Sequence, residues 1–415
     1  MHIKKIFYPS HFLDFQKKAI CWAERFRNFQ YLNGNELPYL HSSFPVLLAV
    51  SDQHSFALSF PARLTELLRD KDWWFGYLGY GYGQPPYHSD FLGFEEGEFF
   101  KPDSMLTFHS NAIEIQSVDS PEAIYQEIEA VQLVGKPSRA VKFAAQHSKE
   151  EYVQKVEQIK SHLRRGNVYQ VNFCTRFDAE NAKIAVVEVY EKLNSLSPMP
   201  FSSLLKVGDK YIICASPERY LKKIGTEVVS QPIKGTSPRG KGDKEDMANI
   251  DYLQNSPKER AENVMIVDLV RNDLSQVCIP GSVKVEKLCE VRTFQSLHQM
   301  ISTVVGEVPS DCLPEQLINA TFPMGSMTGA PKIRAMELIQ EFEKQERGPF
   351  SGALGYFSPN GDFDFNVLIR SVFYNARSQQ LSFSVGSGIT VLSDPEAEYE
   401  ECLLKASAIA QVLGS

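Results

Sequence analysis

The chain has 415 residues, 43% of them hydrophobic and 23% charged, with a formal net charge of -8. That length supports one large globular domain or two ordinary ones, and an acidic balance without any long Lys/Arg run argues against a nucleic-acid surface. Seven cysteines, an odd number with no C-x-x-C pair, fit reduced thiols in a cytosol better than a disulfide frame, and nine scattered histidines without H-x-x-x-H spacing leave zinc unsupported.

The opening segment, MHIKKIFYPSHFLDFQKKAI, holds no apolar stretch of signal-peptide length and no small-residue cleavage site. Runs such as FPVLLAV are too short to cross a bilayer, so no membrane partner is expected. Up to about residue 140 the pattern mixes aromatic-rich strands with loops, and the alternating Gly and aromatic residues of DWWFGYLGYGYGQPP suit close backbone packing within a sheet. A polar stretch near VGKPSRAVKF is the expected junction between a β-rich N-terminal subdomain, residues 1–140, and a second unit, residues 148–415. Ser148 and Glu151 form a capping box ahead of Tyr152, Val156, Ile159 and Leu163, with Gly166 as the stop, which predicts an amphipathic helix opening the second unit.

Beyond it, KYIICAS, VKVEKLCEV, HQMISTVVGEV, FSGALGYFS, FDFNVLIRSVFY and QLSFSVGSGITVL read as strands rich in Val, Ile, Phe and Tyr. SPNGD, with Asn360-Gly361, and YNARSQQ read as reversals. Adjacent pairings of this kind predict antiparallel sheet with helices on its outside, an α+β arrangement.

Two predicted helices carry glutamates three residues apart. In NSPKERAENVMIVDLV, Ser256 caps, Pro257 takes the first position, and Glu259 and Glu262 share a face. A capping box with Ser256 explains Glu259 in ordinary terms, and a solvated residue complementing the helix dipole explains Glu262. The last helix, SDPEAEYEECLLKASAIAQVL, repeats the device with Asp394, Pro395, Glu398 and Glu401, its buried stripe expected at Tyr399, Leu403, Ala406, Ile409 and Leu413. Lys405, four residues after Glu401, allows an ordinary surface ion pair. Two carboxylates facing two others also hold a hard cation such as Mg²⁺ with places left for water and an anionic ligand; the sequence alone does not say whether these helices meet.

FPMGSMTGAPKIRAMELI is a Gly-rich turn leading to a helix start at Pro331, where Ser326, Thr328 and free backbone amides suit a carboxylate or phosphate. Gly386 and Gly388 in VGSGIT permit close approach of a ligand to the main chain, although a tight strand exit explains them equally. Arg370, in the strand NVLIRSVF, is a charge within an apolar run and requires a solvated face or an anion. Lys234, in SQPIKGTSPRG, places an ammonium among rigid and turn-forming neighbours, and in isolation reads as a solvated strand residue.

From about residue 150 to the end, GNVYQVNF, ASPER, PIKGT, RAENVMIVDLVRNDL, MGSMTGAPKIRAMELI, and GSGI followed by EAEYEE resemble, in order, the chorismate-utilising enzymes, the family of anthranilate synthase component I, isochorismate synthase and aminodeoxychorismate synthase component I. FGYLGYGYG is the best match before residue 140. The resemblance implies an αββα layered sandwich of largely antiparallel sheets with helices outside, and Mg²⁺ held by Glu262 and Glu401 with Glu259 and Glu398 close behind. It further implies chorismate bound by Arg370, Lys405, Ser326, Thr328 and the amides around Gly386 and Gly388, with Tyr356 lining the pocket.

Lys234 in PIKGT resembles the aminodeoxychorismate branch, since anthranilate synthases carry alanine there. By that resemblance Lys234 attacks ring carbon C2 and expels the C4 hydroxyl, ammonia then adds at C4, and Glu218 in ASPER serves as general acid and base. A nucleophilic amine must be neutral, so the Lys234 pKa is expected to be lowered by burial and a nearby cation. A carboxylic acid working near neutrality needs a raised pKa at Glu218. Gln170 stands where isochorismate and salicylate synthases carry a water-activating lysine, which disfavours water attack. Gln299 stands where many relatives carry histidine, and His298 beside it is expected to face the other way.

The expected activity is conversion of chorismate and ammonia to 4-amino-4-deoxychorismate on the route to p-aminobenzoate and folate. The rivals are anthranilate synthesis and a non-catalytic subunit that regulates an amidotransferase. No G-x-C-x-G motif occurs, so ammonia is expected from a separate glutamine amidotransferase subunit, and 415 residues leave no room for a fused lyase domain.

Overall fold

The computed structural model describes residues 3–60, 64–85, 90–135 and 140–414. Alternation along the strands sets its layering. In the strands Asn28–Asn33, Leu47–Ser51 and Phe201–Val207, the side chains of Tyr31, Leu48 and Leu204 enter one apolar cluster, and those of Leu32, Leu47 and Leu205 enter another. The two-residue period of a strand requires this. The first cluster is shared with the helices Phe12–Ala23, Lys149–Arg164, Val186–Leu196, Lys332–Glu343 and Pro395–Leu413. The second is shared with strands of another sheet, among them Trp74–Leu78 and Ala353–Phe357. The helices Asp243–Asn255 and Pro257–Ser275 pack on that second sheet, against Ile233–Pro238 and Leu297–Glu307. The result is the expected α+β sandwich, with sheets of 12 and 10 strands among the described residues lying between helical layers.

The strand pairings are antiparallel, and each sheet takes strands from both sides of the expected junction. Asn28–Asn33 pairs with Phe201–Val207, and Trp74–Leu78 with Ala353–Phe357. Residues 136–139 of that junction, like Met1 and His2 of the opening segment, lie outside the described residues. Both expected reversals form, joining Ala353–Phe357 to Phe363–Val367 and Ser371–Asn375 to Gln380–Ile389. The reciprocal capping box of Ser148 and Glu151 opens the helix Lys149–Arg164 as read. Among the described residues no helix is long and apolar enough to cross a membrane.

One strand is broken where the sequence reads as continuous. FDFNVLIRSVFY divides into Phe363–Val367 in the smaller sheet and Ser371–Asn375 in the larger, and Arg370 stands at the corner between them with φ of 52°. Lys210–Ser216 and Arg219–Ile224 divide in the same way, with Glu218 at their corner. Main-chain bonds lace the two corners together: Val367 N–H donates to the Glu218 oxygen at 2.9 Å, and Ala215 N–H to the Arg370 oxygen at 3.2 Å. Both cores accept apolar side chains, so an apolar run looks the same whether the chain stays in one sheet or crosses to the other.

Candidate active site

The two crossovers and the two glutamate helices border one cleft. Glu218 and Arg370 come from the corners, Lys234 from the strand Ile233–Pro238, and Ser326 from the Gly-rich turn. All four glutamates, Glu259 and Glu262 from one helix and Glu398 and Glu401 from the other, line the same space. Lys405, Gly386 and Gly388 complete its wall.

Lys234 owes its place to an irregular strand. The pairing of Ile233–Pro238 with Leu297–Glu307 shifts between Ile233 and Thr236, and Gly235 inside the shift adopts φ of 89°. A Cβ on Gly235 would lie 3.0 Å from both Glu259 Oε2 and Leu253 Cδ1, so glycine here admits the neighbouring helices. Asn263, next to Glu262, donates to the main-chain oxygens of Lys234 (3.5 Å) and Met300 (3.2 Å), tying the glutamate helix to the lysine strand. The Lys234 amine donates to the Ser326 main-chain oxygen at 3.1 Å. Burial lowers its pKa, Glu262 works against that, and Lys405 adds to it. Lys405 behaves oppositely: burial disfavours its charge, but the Glu401 carboxylate 2.7 Å away raises its pKa. It also donates to the Gly386 oxygen at 2.9 Å. Burial and Lys405 thus lower the pKa of one lysine while Glu401 raises that of the other.

Glu218 is 3% exposed, and burial pushes its carboxyl up to about 7 despite hydrogen bonds from the Ser326 hydroxyl and the Ile233 N–H. Glu262 is likewise pushed up to about 7 by burial, with Lys234 pulling it down and Glu259 pushing it further up. Arg370, lowered to about 10 by burial, faces Glu218. A proton donor, a weakened ammonium and cationic groups therefore share one concave surface.

The capping expectation at Glu259 holds only in half. Ser256 accepts from the Glu259 N–H, but the Glu259 side chain lines the cleft, where burial and its carboxylate neighbours raise its pKa. Glu398 is buried and pairs with Lys258 at 3.5 Å. The last helix buries Ala406, Ile409 and Leu413 as expected, but in its first half Glu398 and Cys402 are buried in place of Tyr399 and Leu403, the latter 37% exposed, so the buried face there lies one position earlier and includes Glu398.

A hard cation fits this donor set. The four side chains offer oxygen only, Glu262 Oε1 is buried without a hydrogen-bond partner, and Glu259 and Glu398 push the Glu262 pKa up. Among the described residues no three or more His, Cys, Asp or Glu side chains converge to metal-binding distance.

Two expected site residues lie elsewhere. Tyr356 packs inside the sandwich against Trp73 and Phe75; it belongs to the strand face that meets the second core. The Thr328 hydroxyl turns back to the oxygens of Met324 (3.2 Å) and Gly325 (3.3 Å), holding the turn that presents Ser326. The room left by Gly386 is filled by the neighbouring strand, whose Phe173 oxygen would lie 2.7 Å from a Cβ there, while a Cβ on Gly388 would meet the Gln170 amide and stand 3.5 Å from the Lys234 amine. His298 is buried and faces away, 3.0 Å from Asp246 and 2.9 Å from the Thr293 hydroxyl, whereas Gln299 lines the cleft. Lys258 and Asn172 also line it although neither is singled out from the sequence; Asn172 lies within GNVYQVNF, and Lys258 stands out as a cation inside an acidic helix.

Comparison with known proteins agrees with this architecture. A family described as chorismate binding enzyme matches residues 39–411, and the chain belongs to that family. Among curated relatives, aminodeoxychorismate synthase component 1 of Salmonella typhimurium (strain LT2) is 41% identical over 263 residues, 63% of this chain and 57% of that protein. A protein of Oryza sativa subsp. japonica named probable aminodeoxychorismate synthase, chloroplastic, is 40% identical over 275 residues, 66% of this chain and 30% of its own length. The chain thus spans less than two thirds of either relative. Anthranilate synthase component I from Streptococcus pneumoniae TIGR4 superposes with a TM-score of 0.77 at 26% identity, covering 91% of this chain and 95% of that one. The isochorismate synthase MenF from Escherichia coli superposes with a TM-score of 0.80 at 16% identity over 100% and 94%, a likeness of fold alone.

Proposed function

We propose that the chain aminates chorismate at C4, giving 4-amino-4-deoxychorismate for p-aminobenzoate and folate synthesis. The observation that carries this reading is the Lys234 amine, weakened as a base by burial and set in one cleft with a Glu218 carboxyl that still holds its proton near pH 7. Lowering the pKa of an amine enlarges its neutral, nucleophilic fraction, and a carboxyl that titrates near 7 can serve as an acid there.

The chemistry runs through these two groups. Arg370 and Lys405 face the two carboxylates of chorismate. The neutral Lys234 nitrogen bonds to C2, the two conjugated ring double bonds shift, and the C4–O bond breaks as Glu218 hands its proton to the departing hydroxyl, which leaves as water. Ammonia then bonds to C4, the double bonds return, the C2–N bond breaks and Lys234 departs as a free amine. Glu218, now ionised, takes the proton shed by the new C4 ammonium. Glu262 and Glu401 would hold Mg²⁺, with Glu259 and Glu398 behind them, and the ion when bound would neutralise carboxylate charge in the cleft.

Ammonia would come from a separate glutamine amidotransferase subunit, a reading supported by the words "component 1" in the names of bacterial relatives. The free cysteines suit a reducing compartment such as the cytosol. The likeness to an anthranilate synthase component I structure favours one rival, formation of anthranilate. Incubating the chain with chorismate, Mg²⁺ and ammonium and identifying the product by mass separates the two; anthranilate, or unchanged chorismate, would sink the amination reading.

A further inference from the structure

Two residues that line the cleft carry a buried acceptor oxygen without a partner, Glu262 Oε1 and Gln299 Oε1. They differ in kind: a carboxylate suits a cation, while a neutral amide oxygen suits an uncharged N–H or O–H donor. Gln299 is 2% exposed and stands on the strand Leu297–Glu307, directly across the ladder from Thr236, two residues beyond Lys234. Packing alone does not call for it. A leucine or methionine of similar size would fill the wall without an oxygen whose burial costs free energy while it is unpaired. Gln170 is also buried with an unpartnered amide, but it packs beside Gly388 instead of lining the cleft.

What Gln299 would pair with follows from the donors that enter the cleft, and here the inference rests on the amination reading. The carboxylates and ether oxygen of chorismate only accept. Its one donor is the ring hydroxyl, which meets Glu218 in the first step. Ammonia brings three N–H bonds, which need acceptors while the lone pair points at C4. Glu218 takes one. We infer that Gln299 supplies another, its Oε1 accepting a hydrogen bond from the incoming ammonia and orienting the lone pair toward the ring. An amide suits this task because it does not titrate, so it holds ammonia without protonating it to unreactive ammonium. No covalent bond forms or breaks at Gln299.

The test is steady-state kinetics of the full chain at saturating chorismate and Mg²⁺ with ammonium varied. Gln299→Leu should raise the KM for ammonia about tenfold, the worth of one hydrogen bond, and leave the KM for chorismate within about twofold. Gln299→His, whose neutral ring keeps an acceptor nitrogen, should recover most of that loss. Gln299→Met repeats the removal with a more adaptable side chain should the leucine variant fail to fold. An unchanged KM for ammonia in the apolar variants, or a rise matched by that for chorismate, overturns the assignment while leaving amination intact. A wild-type chain that yields no aminated product at any ammonium concentration overturns both.

Discussion

Lys234 and Ser326 meet at 3.1 Å, the amine of one donating to the main-chain oxygen of the other. The hydroxyl of the same serine bonds the Glu218 carboxylate. A single residue of the Gly-rich turn therefore orients both the proposed nucleophile and the proposed acid, and the Thr328 hydroxyl holds that turn in place.

Replacing Lys234 by alanine should lower amination at least about a thousandfold, since the neighbouring lysine, Lys405, is held protonated by Glu401 and cannot take its role. Lys234→Arg should not rescue, because a guanidinium stays charged. Product quantification by mass checks both; near-normal turnover in Lys234→Ala would remove the covalent step.

The pH profile should reflect the two groups in opposite senses. The neutral fraction of Lys234 grows as pH rises, and the protonated fraction of Glu218 falls above about 7. Turnover should accordingly decline on the alkaline side of about pH 7, and Glu218→Gln should lose on the order of 10²–10⁴ in kcat along with that decline. An alkaline limb that persists in the glutamine variant assigns it to another group.

Glu262 makes a stability prediction of definite sign. Its folded pKa, about 7, lies above the ordinary carboxyl value of 4.5, so its contribution is fully present below pH 4.5 and is lost as pH rises through about 7. Glu262→Gln, neutral throughout, should raise unfolding stability at pH 8 in metal-free buffer by on the order of 2 kcal/mol, seen as a higher melting temperature, and have little effect at pH 4.5. A variant less stable than wild type at pH 8 would mean that Lys234 and its other cationic neighbour more than offset the burial of the Glu262 charge.

Mg²⁺ should raise the melting temperature of the wild-type chain at pH 8, by preferential binding to the folded state. Glu262→Ala and Glu401→Ala should abolish most of this shift, and Glu398→Ala should weaken Mg²⁺ binding about 10- to 100-fold by removing a supporting charge. Calorimetric titration of the free chain reads this without any assay of turnover, and equal affinity in all three variants would place the ion elsewhere.

Asp364 tests the corner beneath the site. It receives Arg219 Nε at 2.9 Å and a second guanidinium nitrogen at 3.0 Å, with both side chains almost wholly buried. Asp364→Ala leaves that cation unpaired and should cost about 3–5 kcal/mol, measured by denaturant unfolding. A loss under about 1 kcal/mol would mean Gln231 and the Ser42 oxygen, the other acceptors on Arg219, suffice alone.

Local signals carried much of this protein. Ser148 with Glu151, Ser256 with Pro257, and Asp394 with Pro395 mark helix starts through hydrogen bonds made within a few residues, and Asn360-Gly361 marks a reversal for the same reason. Strand alternation and the spacing of Glu259 with Glu262 and of Glu398 with Glu401 are equally local, so the order of elements and the shared faces of the glutamates are properties of the sequence itself. Only tertiary structure brought the two helices to one cleft, broke the apolar run at Arg370 so that it crosses between sheets, turned Tyr356 and Thr328 away, and left Gln299 facing inward. Those outcomes depend on contacts between segments far apart in the chain. An apolar or polar residue type records that a surface will be covered or wet, but not which distant segment will cover it.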